Sequence, residues 1–351
     1  MPSPTLDCWY LTGPTAGGKT GVGVTLAGLL NAEIISLDSM ALYRGMDIGT
    51  AKPSREERLA VPHHLVDVLD CDQEFSLAQY VETATRQVES IRGRGREVLF
   101  VGGTPLYLKG LLRGIFQGPP ADWTLRHRLE AEAGQSPPGY LHRRLMEVDP
   151  AAAARLHPND TRRLIRAIEV YQKTGRPISD WQQQFATGRS AESGRVFVLD
   201  WDRQELYARI DRRVDAMFAA GLVDEVRRLL EGPKSLSQSA RQALGYREVI
   251  EYLEGPGKGE GGGGKGGQAP FVRSTRRAGT DRRLVPAEGA CPLFPPPTLA
   301  QTVELVKVHT RQFAKRQWTW FRSLNECRPV HVTEQTPPAE VAAEIARAGL
   351  S

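Results

Sequence analysis

Cysteine is scarce in this chain of 351 residues: Cys8, Cys71, Cys291 and Cys327 are scattered, and no two lie two or three positions apart. That scatter argues against a disulfide framework and a zinc knuckle. Long apolar runs are missing as well. None approaches the ~20 residues a membrane-spanning helix requires, so no membrane association is expected. The first eleven residues carry neither Lys nor Arg to start a secretory leader, and the expected location is the cytoplasm. Composition shows no skew either: hydrophobic residues at 40% and charged residues at 25% argue against collagen-like, coiled-coil and wholly disordered chains. With ~100–200 residues per typical domain, the length fits two domains or one enlarged by insertions.

The net charge of +5 hints at nucleic acid, but the excess is local. Between Gly255 and Pro297 seven Lys or Arg face three Asp or Glu. The segment opens with nine glycines in the thirteen residues from Gly255 to Gly267 and closes on Pro295-Pro-Pro297. Such sequence buries too little apolar surface to offset the entropy of ordering. A disordered insert over 255–297 is therefore expected, with Arg276-Arg277 and Arg282-Arg283 as solvated charge.

Elsewhere short apolar runs alternate with amphipathic stretches, the pattern of an α/β protein. Strands are expected at Cys8–Thr12, Glu33–Leu37, Val98–Val101 and Arg195–Leu199. Helices are expected at Lys19–Leu30, Leu77–Ile91 and Glu205–Phe218. From Ala121 to Gly194 strand signals vanish and Arg-rich helical sequence takes over, at Leu125–Ala133, Tyr140–Val148 and Arg162–Lys173. The expected fold is α/β: a P-loop-type, mostly parallel sheet with helices on both faces. Residues 1–120 form its first part, 121–194 a helical insertion, and 195–254 with 298–330 its second part.

The strongest local signal is Gly13-Pro14-Thr15-Ala16-Gly17-Gly18-Lys19-Thr20, with Walker A spacing between an apolar strand and a helix. Its backbone N–H groups converge on phosphate oxygens, the helix adds its positive N-terminal end, Lys19 adds a charge, and Thr20 is a Mg²⁺ ligand. A bound diphosphate follows, but the loop does not say whether it belongs to a nucleotide. An NTPase would carry an Asp closing a neighbouring strand. Here Val98–Val101 runs into Gly102-Gly103-Thr104 instead. Glu33–Leu37 delivers Asp38, at the end of a strand expected to lie beside the loop. Taken alone, Asp38 reads equally as a base or as a turn residue.

Asp38 opens a longer run, Asp38-Ser39-Met40-Ala41-Leu-Tyr-Arg-Gly-Met-Asp-Ile-Gly-Thr-Ala-Lys-Pro53. Pro62-His-His-Leu-Val-Asp67, Val101-Gly-Gly-Thr-Pro-Leu-Tyr107, Leu156-His-Pro-Asn-Asp160 and Arg311-Gln-Phe-Ala-Lys-Arg-Gln-Trp-Thr-Trp-Phe-Arg322 follow in order. Together they strongly resemble the tRNA dimethylallyltransferase family over nearly the whole chain. The resemblance implies transfer of a dimethylallyl group from dimethylallyl diphosphate to N6 of the adenosine adjoining the anticodon, adenosine 37, in the anticodon stem-loop of tRNA. It implies Mg²⁺ as cofactor, no ATP consumption, Asp38 as general base and Thr104 as its companion. The diphosphate falls to Gly13 through Thr20 and to Arg241. Contacts to tRNA fall to Asp38, Ser39, Met40, Ala41, Thr104, Arg126, Arg162, Arg163, Leu164, Ile165 and Arg166.

The residues lend their own support. From Arg155 to Arg176 six Arg or Lys face two acids, and from Leu305 to Arg322 five face none, interleaved with Trp318, Trp320 and Phe321. Such mixtures suit phosphate contact and base stacking, or equally a solvated helix with buried tryptophans. His63-His64 lacks a completing ligand and reads as structural. Three positions depart from the family pattern: Ala41 replaces a usual Gln, Pro105 a common Gly, and Gly17 a frequent Ser. Competing readings are a prenyltransferase for free adenine nucleotides, a P-loop kinase or ATPase, and an RNA-binding protein with a decayed site. A monomer is expected.

Overall fold

The computed structural model describes residues 5–115, 118–181, 194–255 and 297–350. The insert expected over 255–297 lies, beyond its two end residues, outside the described residues. Six strands form one sheet: β1 Trp9–Thr12, β2 Ala32–Ser36, β3 His63–His64, β4 Glu97–Gly102, β5 Val196–Trp201 and β6 Arg328–Val332. They lie in the order β3-β2-β4-β1-β5-β6, and every pairing is parallel. Parallel neighbours need long crossovers, which here are helical. α1 (Lys19–Leu30) follows β1, α3 (Leu77–Gly93) follows β3 and the short α2 (Arg55–Ala60), and α4 (Pro105–Arg113) follows β4.

Strand residues alternate between two cores, because successive side chains point to opposite faces. Trp9, Leu11, Ile34, Leu99, Phe197 and Leu199 pack on one face with Leu26 of α1. Tyr10, Ile35, Phe100, Val196 and Val198 pack on the other with Tyr80 and Val88 of α3 and Leu108 of α4. Three later helices join the first face: α10 (Arg203–Ala219), through Leu206, Ile210 and Val214; α14 (Leu299–Arg322), through Val306 and Ala314; and α15 (Pro338–Leu350), through Val341 and Ile345. The extra strand β6 is an edge, where Pro329 lacks an N–H without breaking the ladder's interior.

Between β4 and β5 the chain is helical where described: α5 (Trp123–Gln135), α6 (Tyr140–Val148), α7 (Pro150–Ala153), α8 (Thr161–Thr174) and α9 (Ile178–Trp181). These share their own apolar cluster, including Leu129, Leu145, Leu164 and Ile168. A fourth cluster joins α11 (Leu222–Leu230), α12 (Gln238–Arg241) and α13 (Tyr246–Glu254) to Tyr43 and Met46. It ties the loop after β2 to the second half of the chain.

β2 is not beside β1, since β4 lies between them. Asp38 and the phosphate loop are brought to one site by the shared C-terminal edge of the sheet, where ligands of such folds bind. Gly102 makes this possible, because a Cβ there would sit 2.3 Å from the Leu37 carbonyl.

Candidate active site

A cavity of about 1940 Å³ opens over this edge. The phosphate loop forms one end. Gly18 takes the left-handed conformation, φ 79°, and caps α1, so the first helical residues are Lys19 and Thr20. Neighbouring elements hold the loop by its backbone. Trp201 Nε1 donates to the Gly17 carbonyl at 3.0 Å, Arg209 Nε to the Ala16 carbonyl at 3.0 Å, and the Thr15 N–H to Gln317 Oε1 at 2.9 Å. Lys19 folds back, donating to the carbonyls of Gly13 at 3.1 Å and Pro14 at 2.7 Å. Burial pushes its ammonium down to about 8; Arg213 adds to the effect and Asp38 opposes it. Burial also lowers Arg213, which Asp38 again opposes. Among the described residues Arg213 has no hydrogen bond or ion pair, although it lines the cavity. Lys19, Arg209 and Arg213 thus present concentrated positive charge with no carboxylate bound to any of them.

The other end is built from the turns after β2 and β4. Asp38 Oδ1 accepts from the N–H groups of Met40 at 2.8 Å and Ala41 at 3.4 Å, while Oδ2 makes no hydrogen bond among the described residues. One carboxylate oxygen therefore shapes the turn and the other remains an acceptor. Thr104 Oγ1 accepts the Ser39 N–H at 3.1 Å, and the Thr104 N–H donates to the Leu37 carbonyl at 3.1 Å. Asp38, Ser39, Met40, Ala41 and Thr104 all line the cavity. Pro105 sits at the first position of α4, where a helix has no use for the missing N–H, so the turn survives the substitution.

The remainder of the motif after Asp38 serves as a buckle. Buried Glu225 accepts from the N–H groups of Asp47 at 3.0 Å and Ile48 at 2.9 Å and from Tyr246 Oη at 2.6 Å. Lys52 reaches Asp47 at 2.7 Å and Asp67 at 2.5 Å. Gly49 has to be small, because a Cβ would sit 2.4 Å from the Tyr246 ring. These contacts hold the loop carrying Met40 and Ala41 over the cavity.

Several expected site residues lie elsewhere. Arg241 does not line the cavity and pairs with Glu254 at 2.7 Å. The arginines that do line it beside the loop are Arg209 and Arg213, one turn apart on α10 and next to its apolar stripe. In the helical insertion, Arg126 and Arg166 turn toward buried Glu169, at 2.8 and 2.5 Å. Burial raises the Glu169 carboxyl, but bonds from Arg126, the Asp122 N–H and Arg166 outweigh that and hold it below its ordinary value. Leu164 and Ile165 are core residues of this insertion, buried by the apolar face of α8. Arg162 and Arg163 are exposed; Arg163 pairs with Asp160 at 3.2 Å, and Arg162 has no partner among the described residues. On α14, Phe321 is core, whereas Phe313 and Arg316 line the cavity. His64 Nε2 meets Glu33 at 2.6 Å, a structural pairing.

The sequence model of the family described as IPP transferase matches residues 41–324. The tRNA dimethylallyltransferase of Symbiobacterium thermophilum is 46% identical over 314 residues, 89% of this chain and 85% of that protein. That of Rhodopirellula baltica is 42% identical over 330 residues, 92% and 87%. Among solved structures, the tRNA isopentenylpyrophosphate transferase of Bacillus halodurans is 35% identical with a TM-score of 0.62, covering 98% of this chain and 97% of that one. A eukaryotic dimethylallyltransferase acting on tRNA shares the fold at 23% identity and a TM-score of 0.71, over 97% and 77%.

Proposed function

This chain belongs to the IPP transferase family, and from that premise we propose its reaction in full: a dimethylallyl group passes from dimethylallyl diphosphate to N6 of adenosine 37, beside the anticodon of tRNA, and diphosphate is released. It is a tRNA-modifying transferase. The observation that carries the chemistry is that one cavity holds cations without a carboxylate partner at one end and the free oxygen of Asp38 at the other, among the described residues.

In this reading N6 attacks C1 of the allyl group while the C1–O bond breaks, and the bonding pair departs with the diphosphate. Loop amides, Lys19, Arg209 and Arg213 stabilise the charge that develops there. The proton lost from N6 passes to Asp38 Oδ2. Thr104, tied to Ser39, holds the turn in which that oxygen points at the base. The adenosine must leave its stack to reach the cavity, which costs roughly a few kcal/mol.

Mg²⁺ is the proposed cofactor. Among the described residues no cluster of three His, Cys, Asp or Glu is placed to hold a metal, and the Thr20 hydroxyl, which lines the cavity, makes no hydrogen bond. That donor set suits Mg²⁺, which commonly takes few protein ligands beside phosphate oxygens and water. When bound, it neutralises charge on the leaving diphosphate.

No helix among the described residues is long and apolar enough to cross a membrane, and we propose a cytoplasmic monomer. A kinase or ATPase is disfavoured because β4 ends in Gly102-Gly103-Thr104 without a metal-binding carboxylate. The test supplies Mg²⁺, labelled dimethylallyl diphosphate and unmodified tRNA, with AMP and ATP in parallel. Label on N6 of adenosine 37 alone is expected. Label on AMP or ATP would move the substrate to free nucleotides, and absence of transfer would overturn the reading.

A further inference from the structure

Gln317 is the one side chain that hydrogen-bonds both the phosphate loop and the turn leading to Thr104, among the described residues. It is 3% exposed and uses both ends of its amide. Oε1 accepts the Thr15 N–H at 2.9 Å, and Nε2 donates to the Gly103 carbonyl at 2.6 Å. The fit leaves no slack: a Cβ at Gly103 would lie 2.7 Å from Gln317 Nε2, 3.2 Å from the Gly13 carbonyl and 3.4 Å from Lys19 Nζ.

The chemistry of the tie is specific. One end must accept and the other donate, which requires a primary amide. Asn is a methylene shorter, Glu offers no donor to the Gly103 carbonyl, and Met matches the length but supplies neither bond. The Thr15 N–H held in this way is withdrawn from the donors that the loop turns to an anion. Trp201 and Arg209 also hold the loop, but from the α10 side and without reaching the base end. From Gly103 the chain continues directly into Thr104, whose hydroxyl accepts from Ser39 N–H beside Asp38.

We propose that Gln317 is a positioning residue that sets the separation between the phosphate loop and the Asp38–Thr104 turn, and so the alignment of the allylic carbon with N6. This rests on the prenyl-transfer reading. A misplacement of the order of 1 Å costs roughly 10²-fold in rate, and the effect belongs in kcat, since each half of the cavity keeps its own binding groups.

The test compares wild type, Gln317→Met and Val306→Ala. Val306 is a buried core residue of the same helix and makes neither tie, so it controls for loosening of α14. The measurements are kcat, KM for dimethylallyl diphosphate, KM for tRNA, calorimetric binding of inorganic diphosphate with Mg²⁺, and Tm. Gln317→Met is expected to lower kcat about 10²-fold while both KM values and diphosphate affinity stay within about threefold. Val306→Ala is expected to lower Tm at least as much with kcat nearly unchanged. If wild type prenylates tRNA and Gln317→Met keeps kcat within about threefold, the positioning role is overturned and the reaction stands. If both variants lose kcat in step with Tm, Gln317 is only structural. A wild type that transfers nothing to tRNA overturns the reading and this inference together.

Discussion

The phosphate end of the cavity and the helical insertion are both rich in cations, yet they treat them in opposite ways. Lys19 is bonded only to loop carbonyls, Arg209 to the Ala16 carbonyl, and Arg213 to nothing among the described residues. In the insertion, Arg126 and Arg166 are neutralised by Glu169, and Arg163 by Asp160. Burying unpaired cations is costly unless an anion arrives, so the first region is suited to an anionic ligand. In the second, Arg126, Arg166 and Arg163 are held in pairs within the chain, while Arg162 has no partner among the described residues. High Arg content therefore signals ligand binding only where the carboxylates are missing.

The largest effect expected within that contrast is at Asp38, whose Oδ2 makes no hydrogen bond among the described residues. Asp38→Asn should lower kcat by about 10²–10⁴-fold with tRNA affinity nearly unchanged in filter binding. A loss within threefold would remove Asp38 as base. Next comes Arg213→Ala, which should reduce kcat/KM for dimethylallyl diphosphate about 10²-fold, consistent with loss of a charge-assisted contact of roughly 1.5–3 kcal/mol. The same substitution at Arg241, paired with Glu254 outside the cavity, should leave that constant within threefold. Equal effects would erase the distinction between paired and unpaired arginines.

A smaller effect is carried by pH. Burial depresses Lys19 to about 8 in the free protein, so the ammonium that pairs with diphosphate is lost as pH rises through that value. In steady-state assays kcat/KM for the donor should fall above pH 8, by up to about tenfold per unit, and Lys19→Arg should flatten that limb. The stability sign is the opposite: a depressed folded value means the buried charge destabilises below about 8, a penalty relieved as pH rises toward the ordinary lysine value.

The smallest effects should come from the insertion. Arg162→Ala should weaken tRNA binding a few-fold and reduce its salt slope by about one. Arg126→Ala should chiefly lower Tm, because it strips a partner from buried Glu169. If instead Arg126→Ala weakens tRNA binding as much as Arg162→Ala without loss of Tm, the ion pair opens for RNA and the contrast fails.

Both the loop from Gly13 to Thr20 and the strand periodicities were legible because their meaning lies in consecutive residues. Four expected strands and six expected helices recur within a few positions of their bounds. β3, only two residues long, and β6, with Pro329 inside it, have no comparable local signal. Asp38 is marked by its place at a strand end as well as by the resemblance, Thr104 by the resemblance alone, and the chain's own geometry adds the reason they belong together, the Ser39 N–H to Thr104 bond. Arg209, Arg213 and Gln317 carried no mark that separated them from other polar residues on amphipathic helices. Arg241 is marked by its place just before the family's Gly-Tyr segment, and Leu164 and Ile165 by the resemblance of the whole Arg162–Arg166 segment.

Local sequence determined which backbone presents phosphate donors and which helices bury which face, since capping, glycine placement and periodicity act over a few residues. Only the tertiary structure decided which cations remain free. That depends on whether a carboxylate from a distant element comes close enough to pair, as Glu169 does with Arg126, whereas Asp38 acts on Arg213 without forming an ion pair with it. Such pairing is set by the packing of whole helices and strands, and a single residue type carries no record of it.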